Sequence, residues 1–189
     1  MDDLSRKPTI EGARVVLRPV HVDDAESFLA ALADPEGNRL TGTHRTFTLP
    51  EIREWFGSRG ATTDRWDLSI VERATGRWVG ELAILDWDAD NRSCGFRIAL
   101  APEGRDRGYG TEATRLAVDR AFADLPVHRI QLEVYAFNPR ARRVYERIGF
   151  RIEGVLRDAL RWDGEYHDTL VMGMLRDDWR LAPGAAATA

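Results

Sequence analysis

Arg105-Asp106-Arg107-Gly108-Tyr109-Gly110-Thr111-Glu112-Ala113 lies between a strand-like run, Ser93 to Leu100, and a helix-like run, Thr111 to Leu125. Two glycines one residue apart free the backbone from the limits a Cβ imposes and let it approach a ligand closely. The N–H groups that open the following helix have no intrahelical partner, and the helix dipole favours an anion beside them. Arg105 and Arg107 add positive charge. The stretch reads as a loop that seats a pyrophosphate-bearing cofactor over Gly108 to Gly110.

What precedes the loop decides which fold carries it. Leu68-Ser-Ile-Val, a turn at Ala74-Thr-Gly76 and Trp78-Val-Gly-Glu-Leu-Ala-Ile-Leu85 read as an antiparallel hairpin, and Cys94 to Leu100 as the next strand. The loop also satisfies Gly-x-Gly-x-x-Ala, a dinucleotide fingerprint, with Glu133 roughly where a ribose-binding acid belongs. That reading fails, because an antiparallel hairpin stands where βαβ units should and the glycines do not follow the strand directly.

Further upstream, Ile10 to Pro19 reads as a first strand ended by its proline. Asp23 and Asp24 open a helix with Phe28, Leu29, Leu32 and Ala33 on one face, expected to stop near Pro35. Asn38 to Leu49 is a polar segment, and Pro50 to Phe56 a short helix. Downstream, the helix Thr111 to Leu125 sets Ala113, Leu116, Ala117 and Ala121 on one face, and Pro126 stops it. His128 to Tyr135 alternates as a strand. Asn138-Pro139 supplies an N-cap and a first-turn proline for a helix to Ile148, with Gly149 as its C-cap. Gly154 to Arg157 and Thr169 to Leu175 read as strands flanking a polar, aromatic loop with Trp162, Tyr166 and His167. One domain over residues 1–181 is expected, with a disordered tail from 182 to 189.

Composition excludes several classes. The chain has 189 residues, 43% hydrophobic and 31% charged, with a formal net charge of -4. No global basic field argues for nucleic acid or an anionic membrane. No apolar run nears the roughly 20 residues that span a bilayer, and the first residues lack a signal peptide's apolar core, so a cytoplasmic setting is expected. Cys94 is the sole cysteine and reads as a small core hydrophobe. The four histidines are scattered, so no metal site is expected.

On the helix after Asn138, positions 138, 141, 142 and 145 share a face, aligning an amide, a small residue and a phenol. Asn138 is suited to pairing with a peptide-like ligand, and Tyr145 to donating a proton to a leaving group. Glu133 on the preceding strand is suited to taking a proton, directly or through a water.

With Arg105-x-x-Gly108-x-Gly110 and the Asn138 to Phe150 segment ending in Tyr-Glu-Arg-Ile-Gly-Phe, the chain from about Ile10 to Met174 resembles the GNAT superfamily of acyl-coenzyme A dependent N-acetyltransferases. Gly154-Val-Leu-Arg-Asp and Asp163-Gly-Glu-Tyr-His-Asp are most similar to its ribosomal-protein N-terminal acetyltransferase branch, which also contains enzymes for small amines. The resemblance implies an α/β (α+β) GNAT fold: a mixed, mostly antiparallel sheet of about six to seven strands, splayed at the cofactor site and flanked by about four helices. It implies transfer of acetyl from acetyl-CoA to a primary amine, on a protein N terminus or a small molecule, by direct attack in a ternary complex; a non-catalytic acyl-CoA-binding module is the alternative. Ile98, Ala99 and Leu100 would meet the pantetheine and thioester, and Arg105, Asp106, Arg107, Gly108, Tyr109, Gly110 and Thr111 the pyrophosphate. Asn138 would bond the pantetheine, and Arg140 or Arg143 the adenosine phosphate. Tyr145 would be the acid and Glu133 the base, with Glu81, Asp86 and Asp88 as its rivals, since in many members of the family the base is a different carboxylate or an ordered water. His44, Arg45, Phe47, Asp86, Trp87, Trp162 and Tyr166 are the expected acceptor wall. The branch often pairs, so a homodimer is implied, on no sequence feature of this chain.

Overall fold

Apolar Leu68, Ile70, Leu82 and Ile84 interleave with Ser69, Glu81 and Ala83, a two-residue period that builds the antiparallel hairpin of β3 (Trp66–Glu72) and β4 (Trp78–Asp88). β5 (Ser93–Leu100) continues the meander, with Leu100 opposite Gly80. On the far side of β3 lie β2 (Val15–Pro19) and β1 (Ile10–Glu11). β6 (Arg129–Tyr135), β7 (Arg151–Trp162) and β8 (Glu165–Leu175) complete an eight-stranded sheet ordered β1-β2-β3-β4-β5-β6-β8-β7, in which β5–β6 is the parallel pair. These relations come from a computed structural model that describes residues 4–181.

The mixed, mostly antiparallel class is as expected, and the strand count is higher for a local reason. The expected strand Ile10 to Pro19 folds back on itself, Gly12 N–H donating to Val15 O at 2.8 Å, and becomes β1 and β2. The expected aromatic loop also differs. Trp162, Tyr166 and His167 sit within one long hairpin, β7–β8, whose reversal is confined to Asp163 and Gly164, both at positive φ. The expected tail, 182–189, lies outside the described residues.

Six α-helices flank the sheet among the described residues: α1 (Ala25–Ala31), α2 (Pro35–Thr41), α3 (Leu49–Ser58), α4 (Tyr109–Asp124), α5 (Pro139–Ile148) and α6 (Arg176–Leu181). The first helix stops just short of Pro35, near its expected end, and Pro35 then opens a further helix that was not expected. Asp34 caps it, its Oδ2 accepting from Gly37 N–H at 2.8 Å, and a proline is tolerated in a first turn. α4 begins at Tyr109, two residues before the expected start, and lays Ala113, Ala117, Val118, Ala121 and Phe122 against the sheet, all fully or almost fully buried. Small side chains there allow close approach of helix to strands. Arg176 closes the far end of that helix by donating to the carbonyls of Phe122, Leu125 and Val127 at 2.7 to 2.8 Å.

The opposite face of the sheet carries buried charges, each paired. Asp24, at the head of α1, accepts from Arg18 Nη1 and Nη2 at 2.8 and 2.6 Å, from Ser69 Oγ at 2.6 Å and from His21 N–H at 3.0 Å. This cluster pins α1 to β2 and β3. Burial opposes the charge, but the Arg18, Ser69 and His21 donors outweigh it and hold the carboxyl below its ordinary value of 3.8.

A carboxyl with a lowered folded-state pKa contributes stability above its unfolded value, lost as pH falls. Asp24→Asn is expected to cost about 2 kcal/mol at pH 7, because Arg18 keeps its charge and loses its partner. Below about pH 4 the wild type converges on the variant. Thermal melts from pH 7 to pH 3 check this; a gap between the two that stayed constant with pH would rule it out.

Candidate active site

β5 and β6 are paired by three rungs, Ser93 with Arg129, Cys94 with Ile130 and Gly95 with Gln131. Beyond Gly95 they separate. β5 stays paired with β4 as far as Leu100, and β6 with β8 as far as Tyr135, so each strand is held from its outer side while the inner edges open. A cavity of about 780 Å³ fills the gap, lined by Phe96 to Leu100 from β5 and by Leu132 to Tyr135 from β6.

At one end of the gap stands the glycine loop. Gly108 takes φ +79, the left-handed region that glycine enters without strain, and acts as N-cap of α4. A Cβ on Gly110 would come within 3.0 Å of Leu100 Cδ1, so the loop lies tight against the end of β5. The loop is tied down from several sides. Tyr109 Oη donates to buried Glu72 at the end of β3, Arg14 N–H to Glu112 at 2.9 Å, and Arg14 Nη1 to the Arg107 carbonyl at 3.1 Å. Arg105 donates to Asp34 at 2.5 Å and to the Leu100 carbonyl at 3.2 Å.

α2 roofs the gap from one strand to the other. Its N-cap, Asp34, holds Arg105 on the β5 side. Its C-cap, Gly42, at φ +65, stands so close to β6 that a Cβ there would fall 2.1 Å from Tyr135 Oη. Gly37, Asn38, Leu40 and Thr41 face the cavity beneath. Opposite the roof, Asn138 caps α5, its Oδ1 accepting from Ala141 N–H at 3.1 Å, which leaves its amide N–H₂ for another partner. Arg140 reaches across the mouth to Asp106 at 3.0 Å.

Tyr145 and several carboxyls meet this cavity. Tyr145 is 7% exposed, its ring edge-on to Phe96 and Phe150 with centroids 6.3 and 6.0 Å away. Burial pushes its phenol well above the usual value of 10, so it carries a proton at neutral pH. Glu133 is exposed on β6, Glu81 is buried on β4, and Asp86 sits at φ +55 where β4 bulges against β5.

Comparison with known proteins decides the family. Residues 14–151 match the model of the acetyltransferase (GNAT) domain. The chain belongs to the GNAT acetyltransferases. It is 27% identical over 173 residues to a prophage-derived, uncharacterized N-acetyltransferase of Bacillus subtilis, covering 92% of this chain and 96% of that one. It is 32% identical over 110 residues to a spermidine N(1)-acetyltransferase of Vibrio cholerae, covering 58% and 64%. The crystal structure of spermidine N-acetyltransferase from Vibrio cholerae in complex with CoA and spermine superposes with a TM-score of 0.83 at 22% identity, covering 89% and 99%, a likeness of fold.

The protein is thus an acetyl-CoA dependent acyltransferase, and the GNAT residues fit that cosubstrate. The free inner edge of β5 offers main-chain groups for the pantetheine amides, and the first turn of α4 offers unpaired N–H groups beside Gly108 and Gly110 for the pyrophosphate. Ile98, Ala99, Leu100, Arg105, Asp106, Gly108, Gly110, Thr111, Asn138 and Arg140 all line the cavity, as do Tyr145 and Glu133. Arg107, Tyr109 and Arg143 do not. Arg107 and Tyr109 turn toward Glu72 on the other side of the loop.

Of the expected acceptor wall, Phe47 and Asp86 line the cavity, and five residues lie outside that lining. The His44 ring lies tilted against Trp162 with centroids 4.8 Å apart, Arg45 pairs with Glu51 at 2.6 Å, Tyr166 is 61% exposed on β8, and Trp87 packs on the main core. Of the rival bases, Asp88 is absorbed by its own turn, accepting from Asn91 N–H and Nδ2 at 2.9 and 2.7 Å. Arg142 faces solvent and pairs with Glu146 at 2.8 Å, so Val144 accompanies Asn138, Ala141 and Tyr145 on the cavity side of α5. Cys94 is buried, its thiol pushed up to about 12 by burial, which makes it an inert core residue. Sequence reading missed Phe28, Trp78 and Arg97 in the cavity lining and Asp34 as the partner of Arg105; Asp34-Pro35 carries an N-cap signal that points to α2.

Asn138→Asp keeps the capping oxygen and removes the amide donor, whereas Asn138→Ala removes both. The alanine variant is expected to lose about 1 kcal/mol of stability, the aspartate variant much less. Coenzyme A affinity should fall about tenfold in both, measured by calorimetry beside thermal melts. Unchanged affinity in both would free Asn138 from coenzyme binding.

Proposed function

We propose that this acetyltransferase moves acetyl from acetyl-CoA to a primary amine by direct attack within a ternary complex. The observation that carries the proposal is the cavity itself, lined by a buried, protonated tyrosine, by several carboxyls and by the free edge of β5. Acetyl-CoA supplies an acetyl thioester, already activated for transfer. The inner edge of β5 at Ile98 to Leu100 aligns the thioester arm, and the α4 first turn holds its phosphates. Tyr145 Oη gives a proton to the departing sulfur. Glu133, open to solvent on β6, takes a proton from the attacking nitrogen and passes it to water.

The relatives that act on spermidine support a small cationic acceptor, and a protein N terminus stays within the same reading. Placement in the ribosomal-protein N-terminal acetyltransferase branch belongs to the proposal too, supported by the β7–β8 hairpin that carries Gly154 to Asp158 and Asp163 to Asp168. So do a single domain over residues 1–181, supported by one continuous sheet, and a cytoplasmic setting, supported by the lone thiol of Cys94. A homodimer is supported by Ile152, Val155 and Leu156, which stand 40 to 51% exposed on edge strand β7; sedimentation equilibrium tests it.

A thiol-release assay over a panel of amines and peptides tests the transfer. Tyr145→Phe is expected to lower kcat about a hundredfold while the KM for acetyl-CoA stays within about twofold, the range for loss of one acid–base group. Full activity in that variant would remove Tyr145 from the acid role, and no turnover by wild type on any amine would sink the proposal.

A further inference from the structure

An ammonium loses two protons on its way to an amide N–H, and Glu133 accounts for one. The other needs a group that meets the acceptor before the C–N bond forms. Glu81 has the chemistry and the place. It lies on β4 directly opposite Ala99 of β5 and lines the cavity. The residue is 3% exposed, its Oε1 lies 3.2 Å from Arg97 Nη2, and its Oε2 has no hydrogen-bond partner.

A merely structural role fits this poorly. The neighbouring buried Asp67 uses both oxygens, accepting from Arg65 Nε and Nη2 at 2.7 and 2.6 Å. Asp24 likewise uses both. A buried carboxyl oxygen left unpaired costs about 1–3 kcal/mol or more, and such orphans in native folds ask for a missing partner. The same cavity is lined by Phe28, Phe47 and Trp78 as well as by Glu81, so an ammonium that reaches the carboxyl loses water and gains a charge partner.

We propose that Glu81 receives the acceptor as its ammonium and takes its first proton, delivering a neutral amine to the edge of β5 at Ala99. The inference rests on the acetyl-transfer reading. In the first step Glu81 carboxylate and R–NH₃⁺ become Glu81 carboxylic acid and R–NH₂. The C–N bond then forms and the C–S bond breaks; the second nitrogen proton goes to Glu133, and the sulfur takes a proton from Tyr145. Solvent reprotonates Tyr145 and clears both carboxyls, so one proton is released overall.

The groups around Glu81 tune it for this. Burial raises its pKa, Arg97 on β5 lowers it, Asp67 on β3 raises it again and Arg65 lowers it, with a net rise. A carboxylate so shifted holds a proton from an ammonium better than an ordinary glutamate does.

Glu81→Gln keeps the shape and removes the base. Equilibrium binding to CoA-saturated protein, with benzylamine and benzyl alcohol as probes, reads the site without turnover. Wild type is expected to favour the amine at least tenfold, and Glu81→Gln to lose that preference while coenzyme A binds both proteins equally, which also shows that the variant is folded. In turnover on benzylamine at pH 7 the variant should fall at least a hundredfold in kcat/KM and recover about tenfold per unit of rising pH, as bulk water supplies the free amine. An amine preference that survives in the variant, a variant with the wild-type pH profile, or a wild type that binds amine and alcohol alike would each overturn the role of Glu81. An intact amine preference in a wild type that acetylates nothing would instead overturn the transfer reading and leave the ammonium site standing.

Discussion

Main-chain N–H and C=O groups away from water need partners, and a sheet ordinarily supplies them strand by strand. Here the ladder between β5 and β6 stops after Gly95 and Gln131, leaving two strand edges facing each other across a gap. The gap persists because each strand is secured on its other side, β5 by β4 through Leu100 and β6 by β8 through Tyr135. α4 and α5 pack against the apolar side chains of the same strands, so closing the gap would disrupt a core that includes Phe96, Ile130 and Leu132. Geometry thus keeps the inner edge of β5 unpaired beyond Gly95.

The roof over that gap follows from two local sequence signals acting at opposite ends of one short helix. Asp34 caps α2 and simultaneously binds Arg105, while glycine at position 42 lets the helix end against Tyr135. Arg39 lies over the Phe137 ring with its guanidinium carbon 4.1 Å from the centroid, a further tie to the β6 side. Arg105 therefore serves the roof as well as the loop.

Much of this was legible in the sequence because it depends on local rules. The hairpin Trp66 to Asp88 follows from a two-residue period, the α5 start from Asn138-Pro139, and the phosphate loop from glycines before a helix. The failures came where a local signal has two meanings. Pro35 reads equally as a stop or as a first-turn residue, and only the side chain of Asp34 resolves it. Trp162 and Tyr166 read as loop residues because polar neighbours surround them, yet they end β7 and open β8 at a hairpin tip largely open to solvent, where the pattern carries little hydrophobic period. The acceptor wall was the least legible. His44 and Trp162, 118 positions apart, satisfy each other outside the cavity lining, and no periodicity reports such a long-range contact.

Alternation along β5 explains why proton donor and proton acceptors can share one small site without neutralising each other. Successive residues of a strand point to opposite faces. Phe96 turns to the helix side, where its ring meets Tyr145; Arg97 turns to the other side, where it meets Glu81. The proposed acid and the proposed ammonium site are therefore separated by the thickness of the sheet. In an intact sheet the backbone would keep them apart. Because β6 departs at Gly95, just before these two residues, the backbone wall is missing on one side and both groups face the same opening. A group threaded through the gap can then be attacked from one face while its leaving atom is protonated from the other. In the proposed reaction, the splay at Gly95 is what would bring the acid and base faces to a common bond.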